Sequence, residues 1–207
     1  YRSSPDGLPD WIQTFVATGY SHYATLLPRA FEDRGVSPEQ IAGMLGFIFT
    51  LENLALSMGC KRSQLMIAVQ QASQVKEDIA KIGLLRTSEW LLGLRSLEEI
   101  RAFFDHLLTN PMTMPAFPDY LNGFILSLNI TPRIGPLIVE LLSKVFASVP
   151  DAVLMPWLPS LILRMRSYAN LLQPLMKEAS ESFPDTLSGF ETWHAPWLEK
   201  QMPEKAE

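Results

Sequence analysis

SPEQIAGMLGFIFTLENLALSMG, residues 37–59, decides the fold class. Ser37 can accept a backbone N–H that the first helical turn leaves orphaned. Pro38 suits the first helical position, and Gln40 stands three residues on, where a capping-box partner belongs. Ile41, Met44, Leu45, Ile48, Leu51 and Leu56 then recur at helical spacing until Met58-Gly59 stops the run. Phe47 and Phe49 fall off that stripe. The helix therefore reads as apolar nearly all round, the pattern of a central element.

The same punctuation continues outward. Ser96-Leu97-Glu98-Glu99 is a capping box opening a helix through Phe103, Phe104, Leu107 and Leu108. Asn110-Pro111 closes it, because a residue before proline is pushed out of the α region. Thr131-Pro132 launches a helix over 137–149 that Pro150 ends, and Pro118 opens one over 119–129. Weaker helical patterns cover 9–20, 23–34, 62–72, 74–82 and 89–92. Beyond Pro150, the prolines at 156, 159, 174, 184 and 196 divide the chain, leaving a clean helix over 161–172. Strand signals are missing: Asp6-Gly7 lies in the N-terminal tail, and Asn122-Gly123 is flanked by helical pattern and not by alternation.

The expected fold is all-α, a compact array of about eleven short antiparallel helices. GFIFTL at 46–51 echoes GFILSL at 123–128, which raises degenerate helical-hairpin repeats, although shared apolar composition is the simpler account. No connection is long enough to be a flexible linker. Residues 1–207 are thus expected to form a single helical domain, with 1–8 and 201–207 as loose tails. A chain that begins at Tyr1 reads as a piece of a longer protein.

Composition narrows the function. Of 207 residues, 47% are hydrophobic and only 19% charged, below the ~25% charged of an average soluble protein. Either the core is large or apolar surface is kept for a partner. The net charge is −5 and the basic residues are scattered, so nucleic acid is not an expected partner. Cys60, the lone cysteine, has no internal disulfide partner, and no N-terminal signal pattern is present, so a reduced, cytoplasmic setting is expected. The uncharged apolar runs 120–132 and 152–163 fall short of the ~18 residues of a span and contain proline, so no membrane span is expected.

Candidate chemistry is thin. His22, His106 and His194 never approach ligand spacing, so no metal site is expected. Glu191 and His194 stand at i and i+3, as in di-iron bundles, but the second such motif is missing, and they read as a surface pair. Asp105-His106 resembles a base and its orienter, yet neighbours on a helix diverge by ~100° and cannot make that contact. Cys60 beside Lys61-Arg62 has a setting that lowers a thiol pKa, and a structural or surface role is the plainer reading. No glycine-dense phosphate loop occurs. No catalytic residue and no cofactor is expected, and an enzyme with an unsignalled site is the weaker reading beside a non-catalytic one.

The remaining signals are apolar. Met112 and Met114 lie in a proline-flanked loop, and flexible methionines suit adaptable binding surfaces. Phe183, Phe190, Trp193 and Trp197 crowd the C-terminal end, where aromatic rings can anchor an interface or staple a tail onto its own domain. Met112, Met114, Phe190, Trp193 and Trp197 form the candidate partner surface. The expected function is a non-catalytic interaction or scaffolding domain that binds another protein, or a neighbouring domain, through apolar surface. A helical receptacle for an apolar small molecule or lipid is the alternative, since residues 43–56 and 121–128 can line a cavity as well as fill a core.

Two stretches carry a resemblance. Tyr120-Leu121-Asn122-Gly123-Phe124-Ile125 is similar to a "Trp-Leu-x-Gly-Phe-Leu" run, and Met155-Pro156-Trp157-Leu158-Pro159-Ser160-Leu161 to a "Leu-Leu-Pro-Leu-Leu-Arg-Arg" run. Both resemble the helical C-terminal region of an uncharacterised bacterial family encoded beside MoxR-type AAA ATPases and von Willebrand factor A proteins. The paired arginines of that family are displaced and split here, in Leu163-Arg164-Met165-Arg166. The resemblance implies a partner-binding role within an ATPase-linked assembly and brings no catalytic residues.

Overall fold

The computed structural model describes residues 10–55, 61–74 and 78–187. Among them every regular element is helical and no strand occurs: nine helices of ten residues or more, a closing single turn, and three short 3-10 turns. The chain divides into two compact units, Tyr1–Leu97 and Glu98–Glu207. The division falls in the first turn of a helix, where the sequence offers a cap and no linker.

In the first unit, α1 (Asp10–Glu32) packs on α2 (Pro38–Ala55) and α3 (Arg62–Ala72), and α4 (Ile79–Leu91) packs on α2 and α3. The capping box of α2 forms as its sequence predicts: Gln40 N donates to Ser37 Oγ at 3.3 Å, and Ser37 N donates to Gln40 Oε1 at 2.9 Å. Ile41, Leu45 and Ile48 are buried on its inner face. Gly43, Phe47 and Thr50 are exposed, so α2 is not buried all round as its composition suggested. Tyr20, Ala24, Leu27 and Phe31 supply the matching stripe of α1, at the 3.6-residue period of an amphipathic helix.

The expected break between 9–20 and 23–34 does not occur; α1 runs through, with Pro28 inside it. The end of α4 is set by Gly93, which takes φ +73°. Gly93 N then bonds Trp90 O at 3.0 Å and Leu94 N bonds Glu89 O at 2.8 Å. This is the paired closure in which a left-handed residue satisfies the last carbonyls, and glycine enters that region without a Cβ penalty.

In the second unit, α5 (Leu97–Thr109) leads through a hydrogen-bonded loop to α6 (Phe117–Leu126), α7 (Gly135–Ser148), α8 (Asp151–Ser167), α9 (Ala169–Ser182) and the single turn α10 (Pro184–Leu187). Every residue of α6 from Leu121 to Leu126 is buried, so α6 is the central helix of this unit. Phe104 meets Phe117 and Phe124 edge-on at 6.0 and 5.2 Å, and Trp157 stacks on Phe117 at 5.8 Å. Such ring pairs add to the area they bury. Thr131 caps as expected, its hydroxyl accepting Arg133 N at 3.3 Å, although it opens a 3-10 turn that passes into α7.

Pro156, Pro159 and Pro174 do not break the chain. They lie inside α8 and α9, and all three are exposed. Leu154, Trp157 and Leu161 of α8, and Leu172 and Leu175 of α9, are buried. Burial at i, i+3 and i+7 holds the helix through residues that locally oppose it. This fusion, with that in α1, leaves fewer and longer helices than the expected eleven.

Candidate binding groove

The second unit carries an apolar groove of about 480 Å³. Val139 and Leu142 of α7, Ile162 and Met165 of α8, and Leu172, Leu175 and Met176 of α9 line it, together with Phe183 and Leu187. Each helix's share follows from helical spacing. Residues 172, 175, 176 and 179 lie on one face of α9, and 162 and 165 on one face of α8. Among the described residues no charged side chain lines the space, and Ser143 supplies a side-chain hydroxyl to it. Ile162 is 62% exposed and Phe183 42%. Apolar surface of this kind is left wet at a cost of roughly 25 cal/mol per Å² that an occupant removes.

The surface expected from sequence is only partly described. Met112 is 90% exposed. Its loop is tied down by Met112 N to Asn110 Oδ1 at 3.0 Å, Met114 N to Asn110 O at 2.9 Å and Thr113 Oγ1 to Leu107 O at 3.0 Å. Met114 is half-buried, and neither methionine lines the groove. Phe190, Trp193 and Trp197 lie outside the described residues, as do Cys60 and the Glu191–His194 pair. Of the C-terminal aromatics, Phe183 is described, and it belongs to the groove.

Several ionisable groups are paired with one another. Asp105 pairs with Lys144 of α7, not with His106, which is exposed. Arg101 clamps Glu140 through Nε at 2.9 Å and Nη2 at 2.9 Å and also reaches Glu98. Glu89, buried, accepts from Arg86 at 2.9 Å and Arg95 at 2.6 Å. Arg62 stands 3.1 Å from buried Glu52 and donates to Leu91 O. No group of three or more His, Cys, Asp or Glu among the described residues is placed to hold a metal.

Lys81 is the residue that sequence reading missed. It is 2% exposed, and its Nζ donates to Ala30 O at 3.2 Å, Phe31 O at 3.4 Å and Asp33 O at 2.6 Å. It thus caps the C-terminal carbonyls of α1 from another helix. Burial holds its pKa below 10.5, with Asp78 and Asp33 partly restoring it. Its signal was present: it is the lone charge between Ile79 and Leu85 in an otherwise apolar helical run.

Compared with known proteins, the chain matches no family model, no curated sequence and no solved structure. No helix among the described residues is long and apolar enough to cross a membrane. The groove is therefore read on its own chemistry.

Proposed function

We propose that this chain is a non-catalytic helical interaction domain and that its α7–α10 groove seats an apolar segment of a partner protein. The observation that supports this reading is a partly open groove lined, among the described residues, by aliphatic, methionine and phenylalanine side chains and by no charged one. A partner's amphipathic helix fills such a space with residues at i, i+3 or i+4, and i+7. Met165 and Met176 suit it, because unbranched thioethers adapt to the shape presented. Met112 is a further contact point, and Phe190, Trp193 and Trp197 are proposed beside it on sequence grounds alone. The resemblance of residues 120–125 and 155–161 to a family encoded beside MoxR-type ATPases supplies a partner class, a component of an ATPase-linked assembly. A cytoplasmic setting and the absence of nucleic acid among the partners belong to the same proposal.

One observation favours a second reading. A volume of about 480 Å³ lies within the ~300–1,000 Å³ of small-molecule sites, so an apolar metabolite or lipid is the alternative occupant. Native mass spectrometry of the protein purified from its own cell separates the two. A polypeptide adduct that Ile162→Glu weakens at least ~10-fold supports the partner, ~1.4 kcal/mol on the binding scale. An adduct of small-molecule mass, lost in the same variant, supports the receptacle. Adducts indifferent to Ile162→Glu count against both.

A further inference from the structure

The described chain ends at the groove. Phe183 and Leu187, the last residue described, both line it. Residues 188–207 follow without a break and lie outside the described residues. They begin on Ser188-Gly189, a turn dipeptide that lets a chain reverse direction. Phe190, Trp193 and Trp197 come next, at i, i+3 and i+7, the anchor spacing of segments that lie in apolar grooves. The chain uses the same spacing elsewhere: Leu154, Trp157 and Leu161 are buried along one face of α8 and hold that helix through Pro156 and Pro159. Pro196 is thus no bar to the pattern. On a helical path Glu191 and Glu199 point away from the line of the three rings. The ring face then carries no carboxylate, and the described lining of the groove carries no charge either.

Reach and bulk agree with this. From Leu187 to Trp193 the chain can extend at most about 20 Å. Packed helix axes lie roughly 8–10 Å apart, so the tether spans a groove lined by α7, α8 and α9. A void of about 480 Å³ holds a ligand of drug size, which is the bulk that large aromatic rings bring. A segment tethered this closely meets the groove at an effective concentration on the order of millimolar. An untethered partner has to compete with that.

We propose that the resident occupant of the groove is the chain's own segment 190–197, folded back after Ser188-Gly189 with Phe190, Trp193 and Trp197 seated between α7, α8 and α9. The segment is an internal competitor. A partner's apolar segment enters only as it leaves, and the displaced rings are then free to contact that partner. This regulation rests on the groove being the partner site; the occupancy itself is measured without a partner.

The test is titration of the full chain with the apolar dye anilinonaphthalene sulfonate. A segment that closes the groove about 90% of the time lowers the dye's apparent affinity about 10-fold. Trp193→Ala/Trp197→Ala is therefore expected to bind the dye about 10-fold tighter than wild type, at unchanged helix content by circular dichroism. Adding Ile162→Glu removes the gain. Equal affinity in wild type and double variant, or a gain that Ile162→Glu leaves intact, overturns the proposal. Equal binding that Ile162→Glu weakens leaves the partner reading standing. A closed groove beside a partner adduct indifferent to Ile162→Glu removes the partner reading and leaves the occupancy. Should the double variant lose structure, fluorine NMR of the full chain labelled with fluorotryptophan serves instead. The Trp193 and Trp197 resonances, assigned with Trp193→Phe and Trp197→Phe, are expected to lack the deuterium-oxide shift of exposed indoles and to move in Ile162→Glu. A full solvent shift, or resonances that Ile162→Glu leaves in place, overturns the proposal. So does closure that is lost on dilution, which assigns the groove to the tail of a second copy.

Discussion

Lys81 is a buried charge held at an electrostatic cost, and its geometry explains why it is kept. Three carbonyls at the end of α1 point at one ammonium group that water scarcely reaches. Removing the donor leaves buried acceptors unmatched, at about 1–3 kcal/mol for such a loss. Lys81→Met, similar in length, is therefore expected to lower stability by roughly 2–4 kcal/mol in urea titration. The pH dependence has a definite sign. Burial places the folded-state pKa below 10.5, so in the window between that lowered value and 10.5 the unfolded chain holds a proton that the folded chain has released. Stability contributed by this group therefore rises with pH through the window. Wild type minus Lys81→Met, measured from pH 8 upward, should show a positive slope, because the other titrating groups cancel in the difference. A flat or falling difference would mean that the three carbonyl bonds outweigh burial.

At the scale of elements, the prolines of α8 set local preference against packing. A helical proline costs about 3 kcal/mol relative to alanine, offset in part because it also restricts the unfolded chain. Pro159 is exposed inside α8, so Pro159→Ala is expected to stabilise the second unit by about 1–2 kcal/mol, read as a rise in its melting temperature. Helix positions were legible wherever a cap and a period agreed. Ser37 with Gln40, Thr131 with its proline, and the 62–72 pattern each lie where an element or its cap is found. They failed between residues 20 and 23, where a break was expected, and at Pro156, Pro159 and Pro174, because a proline's cost is visible locally while the burial of Trp157 against Phe117, forty residues earlier in sequence, is not. The groove was illegible for the same reason: Val139, Ile162 and Leu172 each read as ordinary helix face, and only packing shows which faces stay uncovered. Phe183, singled out with the C-terminal aromatics, was the one groove residue that sequence had marked.

At the scale of the whole molecule, the two units carry different work, and their cooperativity can be separated. The first unit has the Lys81 cap; the second has the aromatic core around Phe104, Phe117 and Trp157, and the groove. Each encloses its own buried set, and chains with more than one core commonly depart from a single all-or-none transition. Urea unfolding followed by far-ultraviolet circular dichroism is therefore expected to resolve two transitions. Lys81→Met should move one of them to lower urea and leave the other in place. Trp157→Ala should move the second, by the roughly 3–5 kcal/mol that loss of a packed indole costs. A single transition displaced by both variants would show that the chain unfolds as one body. An occupant of the groove binds only the folded second unit, so it raises the transition that Trp157→Ala lowers and leaves the Lys81 transition where it was.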